Sequence, residues 1–173
     1  YLYYANGTGV EQSFTKAFEF LKLVAHQGHH SAQFNLGNKY AKGQGVNKSD
    51  TLAFTYYKLS AEQGFADAQS NVGHMYASGT GVEQSDTKAC EFLKLAADQG
   101  HHQAQSNLGA MYAAGKGVNQ SDSLSYKYFQ LSAIQGLAEA QYNVGNRYYK
   151  GTGVEESDTK AREWWTKAAA QRH

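Results

Sequence analysis

A single cysteine, Cys90, leaves the chain unable to form an internal disulfide and excludes a zinc site built from four cysteines. The redox compartment stays open on that count. Charge of one sign is also lacking: 16 Lys and Arg stand against 15 Asp and Glu, a net of +1, and no block of like charge occurs. This is not the electrostatic footprint of a general nucleic-acid binder, so no nucleic-acid partner is expected. No apolar run approaches the roughly 18 to 20 residues that cross a bilayer. The opening YLYYANGTGV also lacks the charged-then-apolar order of a secretory signal, and membrane insertion is not expected. Without an initiator methionine the sequence reads as a mature form or an excised fragment, so the missing signal leaves the compartment unknown. What is present is an ordinary apolar share of 41%, with 13 tyrosines and 8 phenylalanines to fill a core. A soluble folded protein is expected, of one domain unless the core grows by adding units.

It does grow by adding units. GVEQSDTKACEFLKLAADQGHH, from Gly81 to His102, has a near copy from Gly9 to His30, and the whole chain repeats at a constant offset of 36 residues. Gln33, Gln69, Gln105 and Gln141 fall in register, as do Gly37, Gly73, Gly109 and Gly145. Tyr40, Tyr76, Tyr112 and Tyr148 form a third column, and the GxGV element recurs from Gly7 and Gly9 to Gly151 and Gly153. A catalytic device would not need five copies in one chain.

Each unit reads as two helices. In helix A, for example AQFNLGNKYAKG, Ala32, Leu36, Gly37 and Tyr40 share one face at helical spacing. A turn with two glycines ends it. Helix B follows a serine suited to N-capping, at 13, 49, 85, 121 and 157, and three copies read SDT, placing an acid at the positive end of the helix dipole. Its apolar face is expected to be Ala17, Phe20, Leu21, Val24 and Ala25, or Ala89, Phe92, Leu93, Ala96 and Ala97. Glycine inside helix A costs about 1 kcal/mol against alanine, so its recurrence predicts a close approach between helices.

The pattern A-Q-x-N-L-G-x-x-Y-x-x-G-x-G-V, then S-D-x-x-K-A-x-E and A-A-x-Q-G, resembles the Sel-one-like repeats, relatives of the tetratricopeptide repeat, which is about two residues shorter. The resemblance covers essentially the whole chain. It implies an all-α fold, a right-handed superhelical solenoid of antiparallel helix pairs with helix A on the concave side, used in that family mostly to hold other proteins in a shared assembly. The expected organisation is one array over 1–173, with a partial first repeat at 1–30 and helix pairs at 31–66, 67–102, 103–138 and 139–173.

A second period of 72 residues lies above the first: roughly two-thirds of the positions from Thr8 to Gly79 match Thr80 to Gly151. Duplication of a unit pair accounts for this, and surface features should recur on alternate units. In the last unit Phe18, Phe54, Cys90 and Tyr126 give way to Arg162, and Leu23, Leu59, Leu95 and Leu131 to Lys167, which reads as a wettable cap. Tyr1 stands at the place of Gly37, so further repeats are expected before it.

Candidates for chemistry are few. His26, His29 and His30, like His101 with His102, sit near inter-repeat turns without the i, i+4 spacing of a helical zinc site, and no metal is expected. Cys90 takes a place where other units carry Phe or Tyr, the position of a small core residue rather than a nucleophile. Cysteine-rich members of the resembled family, linked to penicillin binding, pair cysteines within each repeat; this chain lacks those pairs. The glycine turns lack P-loop spacing and recur in every unit, so they are helix stops. Sequons at Asn6, Asn47 and Asn119 fall between helices and leave a secretory route open.

The candidate binding surface is the outer face of helix A. Asn35, Asn71, Asn107 and Asn143 recur there, and an asparagine amide can grip a peptide backbone without reading its sequence. Positions three, four and seven further on read Asn38, Lys39 and Lys42, then His74, Met75 and Ser78, then Ala110, Met111 and Ala114, then Asn146, Arg147 and Lys150. The expected floor has an adaptable apolar middle in Met75 and Met111, with His74 beside it. Lys39 with Lys42 and Arg147 with Lys150 give basic ends for acidic flanks of a ligand. The asparagines have a second reading, as bonds to the neighbouring helix that serve stacking. The function expected is a non-catalytic protein-interaction scaffold with no cofactor, a monomeric array that binds a protein or peptide. A small-molecule-binding or hydrolytic repeat protein and a self-assembling element through the YLYY edge are the alternatives.

Overall fold

The computed structural model describes residues 14–171, which are all-α, with no strand among the described residues. The helices are α1 (Phe14–His26), α2 (His30–Lys42), α3 (Asp50–Glu62), α4 (Ala66–Ser78), α5 (Asp86–Asp98), α6 (His102–Ala114), α7 (Asp122–Ile134), α8 (Ala138–Lys150) and α9 (Asp158–Ala169). Even-numbered helices are the A helices of the repeat and odd-numbered ones the B helices. The chain forms two compact units, Tyr1–Gln84 and Ser85–His173, and consecutive helices pack on one another inside each. The YLYY edge, the Gly7–Gly9 turn, the Ser13 cap and the Asn6 sequon lie outside the described residues.

Local chemistry sets the helix ends. Ser49, Ser85, Ser121 and Ser157 are extended N-caps whose hydroxyls accept from the amides of Leu52, Lys88, Leu124 and Lys160, each followed by an aspartate in the first turn. The A helices start without a side-chain cap at Phe65 and Leu137, whereas His101 Nδ1 accepts from the Ala104 amide at 3.1 Å. The double-glycine turn has two jobs, seen at Gly115 and Gly117. Gly115 takes φ +63° and closes α6 with its amide on the Met111 carbonyl, and the Lys116 amide joins the same oxygen. Gly117, at φ +68°, lies so close to the Asp86 carbonyl at the start of α5 that a Cβ would collide with backbone. The turn of one repeat is thereby seated on the first residue of the preceding helix B, as Gly81 is on Asp50 and Gly153 on Asp122.

In the first unit, Leu21, Ala25, Ala32 and Leu36 form a buried cluster edged by Phe18, Val24, Tyr40 and Tyr56. Small alanines at the contact let the helices close up. Tyr40 stands edge-on to Phe18 and stacks on Tyr56, with centroids 5.6 Å apart. Gly37 lies under the Tyr57 ring, where an added Cβ would come 2.7 Å from two ring carbons. That is the predicted close approach. Phe20 departs from expectation: it is 44% exposed, while Ala17, Leu21 and Ala25 are buried and Val24 packs against their cluster.

In the second unit, Phe129, Ala133, Ala140, Val144, Tyr148 and Ala161 make the core, with Trp164 and Trp165 packed against it. Gly109 lies under Phe129 and Gly145 under Trp165. Tyr126 and Tyr148 share a hydroxyl contact at 2.8 Å, and burial with that contact raises the Tyr126 pKa well above the ordinary tyrosine value. Arg162 is exposed at the place of Tyr126 in the last repeat. Of the leucines at the place of Lys167, Leu23, Leu59 and Leu95 are exposed at 54%, 41% and 50%, and Leu131 is half-buried.

The register glutamines have a structural task. Gln33, Gln69, Gln105 and Gln141 are buried, and each donates to the last-turn carbonyl of the preceding helix B, at Ala25, Ala61, Ala97 and Ala133, over 3.2 Å. Gln63, Gln135 and Gln171 donate in turn to the side-chain oxygens of Gln33, Gln105 and Gln141. The A helices α2, α6 and α8 are thus each tied to the helix B before and after them by amides with both ends satisfied.

Candidate functional site

In the first unit Asn35 and Lys42 are exposed on α2 and Lys39 is half-buried, while His74 is exposed on α4. Burial raises the Tyr57 pKa, and Asn71 of α4, a polar neighbour of that phenol, opposes the rise. Tyr57 in turn donates to Asn38 Oδ1 at 2.8 Å. Asn71 therefore serves the stacking of α4 on α3. Met75 is only 7% exposed and offers a ligand little surface. A methionine at that place points between helices, where a thioether fills an irregular gap.

The second unit brings three of the predicted residues together. Asn143, Arg147 and Lys150 on α8 line a groove of about 610 Å³ with Asn146 and Glu139, across from Ala110 and Ala113 of α6. The groove exists because Ala110 stands where other repeats have Asn38, His74 and Asn146, removing side-chain volume from one wall. Phe129 forms part of its base. Asn107 is half-buried and accepts from Gln103 within its own helix at 3.3 Å. Met111, at 8% exposure, is beneath the surface, and its sulfur receives the Cys90 thiol at 3.5 Å. The apolar middle expected from Met75 and Met111 is therefore interior packing in each unit.

Arg147 differs from a free basic end. Its guanidinium donates to Asp122 Oδ1 at 2.8 Å and to Ser125 Oγ at 2.9 Å, and it lies over the Phe129 ring. A signal for this was in the sequence: Ser125 is the one serine at a place where the other helices B carry Ala17, Ala53, Ala89 and Ala161. Lys150 is exposed. Asn146 accepts from Trp165 Nε1 at 3.2 Å, as Asn38 accepts from Tyr57, so these two asparagines pair with the two polar aromatics of their column.

Elsewhere the reactive groups are engaged in structure. Cys90 is buried, donates to the Lys116 carbonyl at 3.2 Å, and its pKa is pushed up to about 11 by burial, with Asp86 and Glu91 adding to the rise. His26 bonds the Tyr56 hydroxyl at 3.2 Å, and His30 lies against Phe65. Among the described residues no group of three or more His, Cys, Asp or Glu is placed to hold a metal. No described helix is long and apolar enough to cross a membrane. Asn47 and Asn119 of the sequons are exposed, but the hydroxyls of Ser49 and Ser121 serve as helix caps.

The Sel1 repeat pattern matches residues 2–29, 30–65, 66–101, 102–137 and 138–173. Among solved structures the chain is similar to c5321, a protective antigen of uropathogenic Escherichia coli strains with an SLR fold: 34% identity, TM-score 0.92, 99% of this chain and 37% of that one. It is also similar to a Sel1 repeat protein from Oxalobacter formigenes, at 30% identity and TM-score 0.89 over 98% of this chain and 68% of that one. Cysteine rich protein B of Helicobacter pylori shares the fold at 21% identity and TM-score 0.57, over 78% of this chain and 96% of that one. The chain thus spans little more than a third of the length of c5321. No curated protein matches it in sequence.

Proposed function

Because this chain belongs to the Sel1 repeat family, an α-solenoid family whose members generally serve as protein-interaction scaffolds, we propose that it is a non-catalytic scaffold holding an extended peptide or partner loop on its helix-A face. The proposal takes 1–173 as one repeat array. The observation that carries it is the groove of the second unit, where Asn143, Asn146 and Lys150 face a cleft of about 610 Å³. Hydrogen-bond donors and charge in an open cleft are the chemistry of holding a chain rather than of breaking a bond. In the first unit, Asn35, Lys42 and His74 are exposed on the A helices and offer a polar surface of their own.

A second reading has its own observation. Leu23, Leu59 and Leu95 recur at the repeat spacing and stand exposed on the B helices. Leu23 and Leu59, together in the first unit, favour docking of an apolar partner surface on its B helices. Affinity capture from the source organism separates the two, using the parent chain, an Asn143→Ala, Lys150→Glu variant and a Leu59→Glu variant, each with unchanged helicity. A partner lost only with the first variant supports the helix-A groove; one lost only with Leu59→Glu moves binding to the B layer and ends the groove proposal.

A further inference from the structure

We infer that the groove of the second unit has a fixed polarity and takes a short extended segment that carries a carboxylate at one end and a positive charge about five residues away. The inference rests on the groove reading and adds the chemistry of the occupant.

The amides are oriented by their neighbours. Trp165 Nε1 donates to Asn146 Oδ1, which fixes that oxygen towards the indole and leaves the N–H2 as the group Asn146 offers to a ligand in the groove it lines. Asn143 is matched by Asn71 in the first unit, which has the Tyr57 phenol as a polar neighbour. At the place of Tyr57 the second unit has Phe129, which has no oxygen. The stacking task of the asparagine is thereby lifted in the repeat where the cleft opens. Lys150, exposed at the C-terminal end of α8, adds an ammonium to this donor-rich end. Arg147 contributes little net charge, since Asp122 holds it.

The opposite end has the opposite character. Glu139 lies in the first turn of α8, is exposed and lines the same groove. Three turns of helix separate it from Lys150, about 16 Å at 1.5 Å per residue. An extended chain covers that span in about five residues. A ligand complementary to both ends therefore has its carboxylate at Lys150 and Asn146 and its basic group at Glu139, with backbone carbonyls between them for the Asn143 amide.

The test uses capped hexapeptides with an alanine centre and terminal pairs Lys/Glu, Glu/Lys, Lys/Lys and Glu/Glu, titrated into the full chain at low salt and followed by amide chemical shifts. At least one of the two unlike pairs should bind about three- to tenfold tighter than either like pair, the scale of two exposed ion pairs. The advantage should shrink as salt rises. Lys150→Glu should move the preference to Lys/Lys. Equal binding of all four peptides, lost with Asn143→Ala, overturns the polarity and leaves the groove reading standing. If none of the four, at millimolar concentration, shifts Asn143, Asn146 or Lys150, both fall.

Discussion

Replacing Gly37 by alanine should destabilise the first unit, although alanine is the better helix former. The gain in propensity is about 1 kcal/mol. Against it stands the new methyl, whose ideal position is 2.7 Å from Cδ1 and Cε1 of Tyr57. The ring cannot swing away cheaply. It is buried, its hydroxyl donates to Asn38 at 2.8 Å, and Phe34 packs against it. Overpacking of this kind costs about 1 to 3 kcal/mol. Displacing the hydroxyl costs about 1 more. The net expectation is a loss of roughly 2 kcal/mol once the propensity gain is subtracted. In a Tyr57→Leu background the ring that blocks the methyl is gone, and leucine is native to that repeat position at Leu93. There Gly37→Ala should be neutral or stabilise by up to about 1 kcal/mol. Urea unfolding of the four proteins of this cycle, followed by helical ellipticity and by tyrosine fluorescence, reads both numbers and shows whether unfolding stays cooperative. A higher midpoint for Gly37→Ala in the parent chain would refute the claim that the glycine is kept for the ring.

Further expectations follow from the same contacts. Gly117→Ala should cost about 2 to 4 kcal/mol, since its Cβ meets the Asp86 backbone, whereas Gly100→Ala, with similar φ but open space around it, should cost only the conformational strain of about 1; equal midpoints in urea would rule out the backbone contact as the cause. Ser60 and Ser132 are fully buried with unpartnered hydroxyls, so Ser60→Ala and Ser132→Ala should be neutral or stabilise by up to about 1 kcal/mol, checked by thermal unfolding. Gln105→Ala removes the donor to the Ala97 carbonyl and the acceptor for Gln135 together, and should lower stability by about 2 to 4 kcal/mol in the same assay. The Cys90 pKa rises from 9.0 to about 11 on folding, so the folded chain holds this proton more tightly than the unfolded one. Its stabilising share is complete below pH 9 and falls as pH climbs through about 11; Cys90→Ala should make the alkaline loss of stability shallower, without abolishing it because the Tyr57 and Tyr126 pKa values are raised as well.

How far the sequence could be read depended on whether a residue acts within its own helix or between helices. Serine caps, glycine stops and the helix-A glycine were legible, because each is a local backbone requirement repeated in register. Gln33 and its equivalents were visible as a column, but not as amides clamped at both ends, since the partner lies thirty positions away in Gln63. Arg147 read as a free basic end until Asp122 and Ser125 were found beside it. Met75 and Met111 read as surface because they share a repeat position with Lys39 and Arg147. A long flexible cation can bend back to water from a half-buried stem, whereas the shorter, apolar thioether stays between the helices.

The 36-residue period by itself determined the all-α class, the helix pairs and their ends, because caps, turns and apolar spacing are local properties that each repeat carries in full. Tertiary structure decided which asparagine serves stacking and which one faces a cleft. That choice depends on the aromatic contributed by another helix, a hydroxyl at Tyr57 and bare carbon at Phe129, and on the space left by Ala110 across from α8. Side chains with the same place in the repeat thus acquire different roles from neighbours that only packing brings to them.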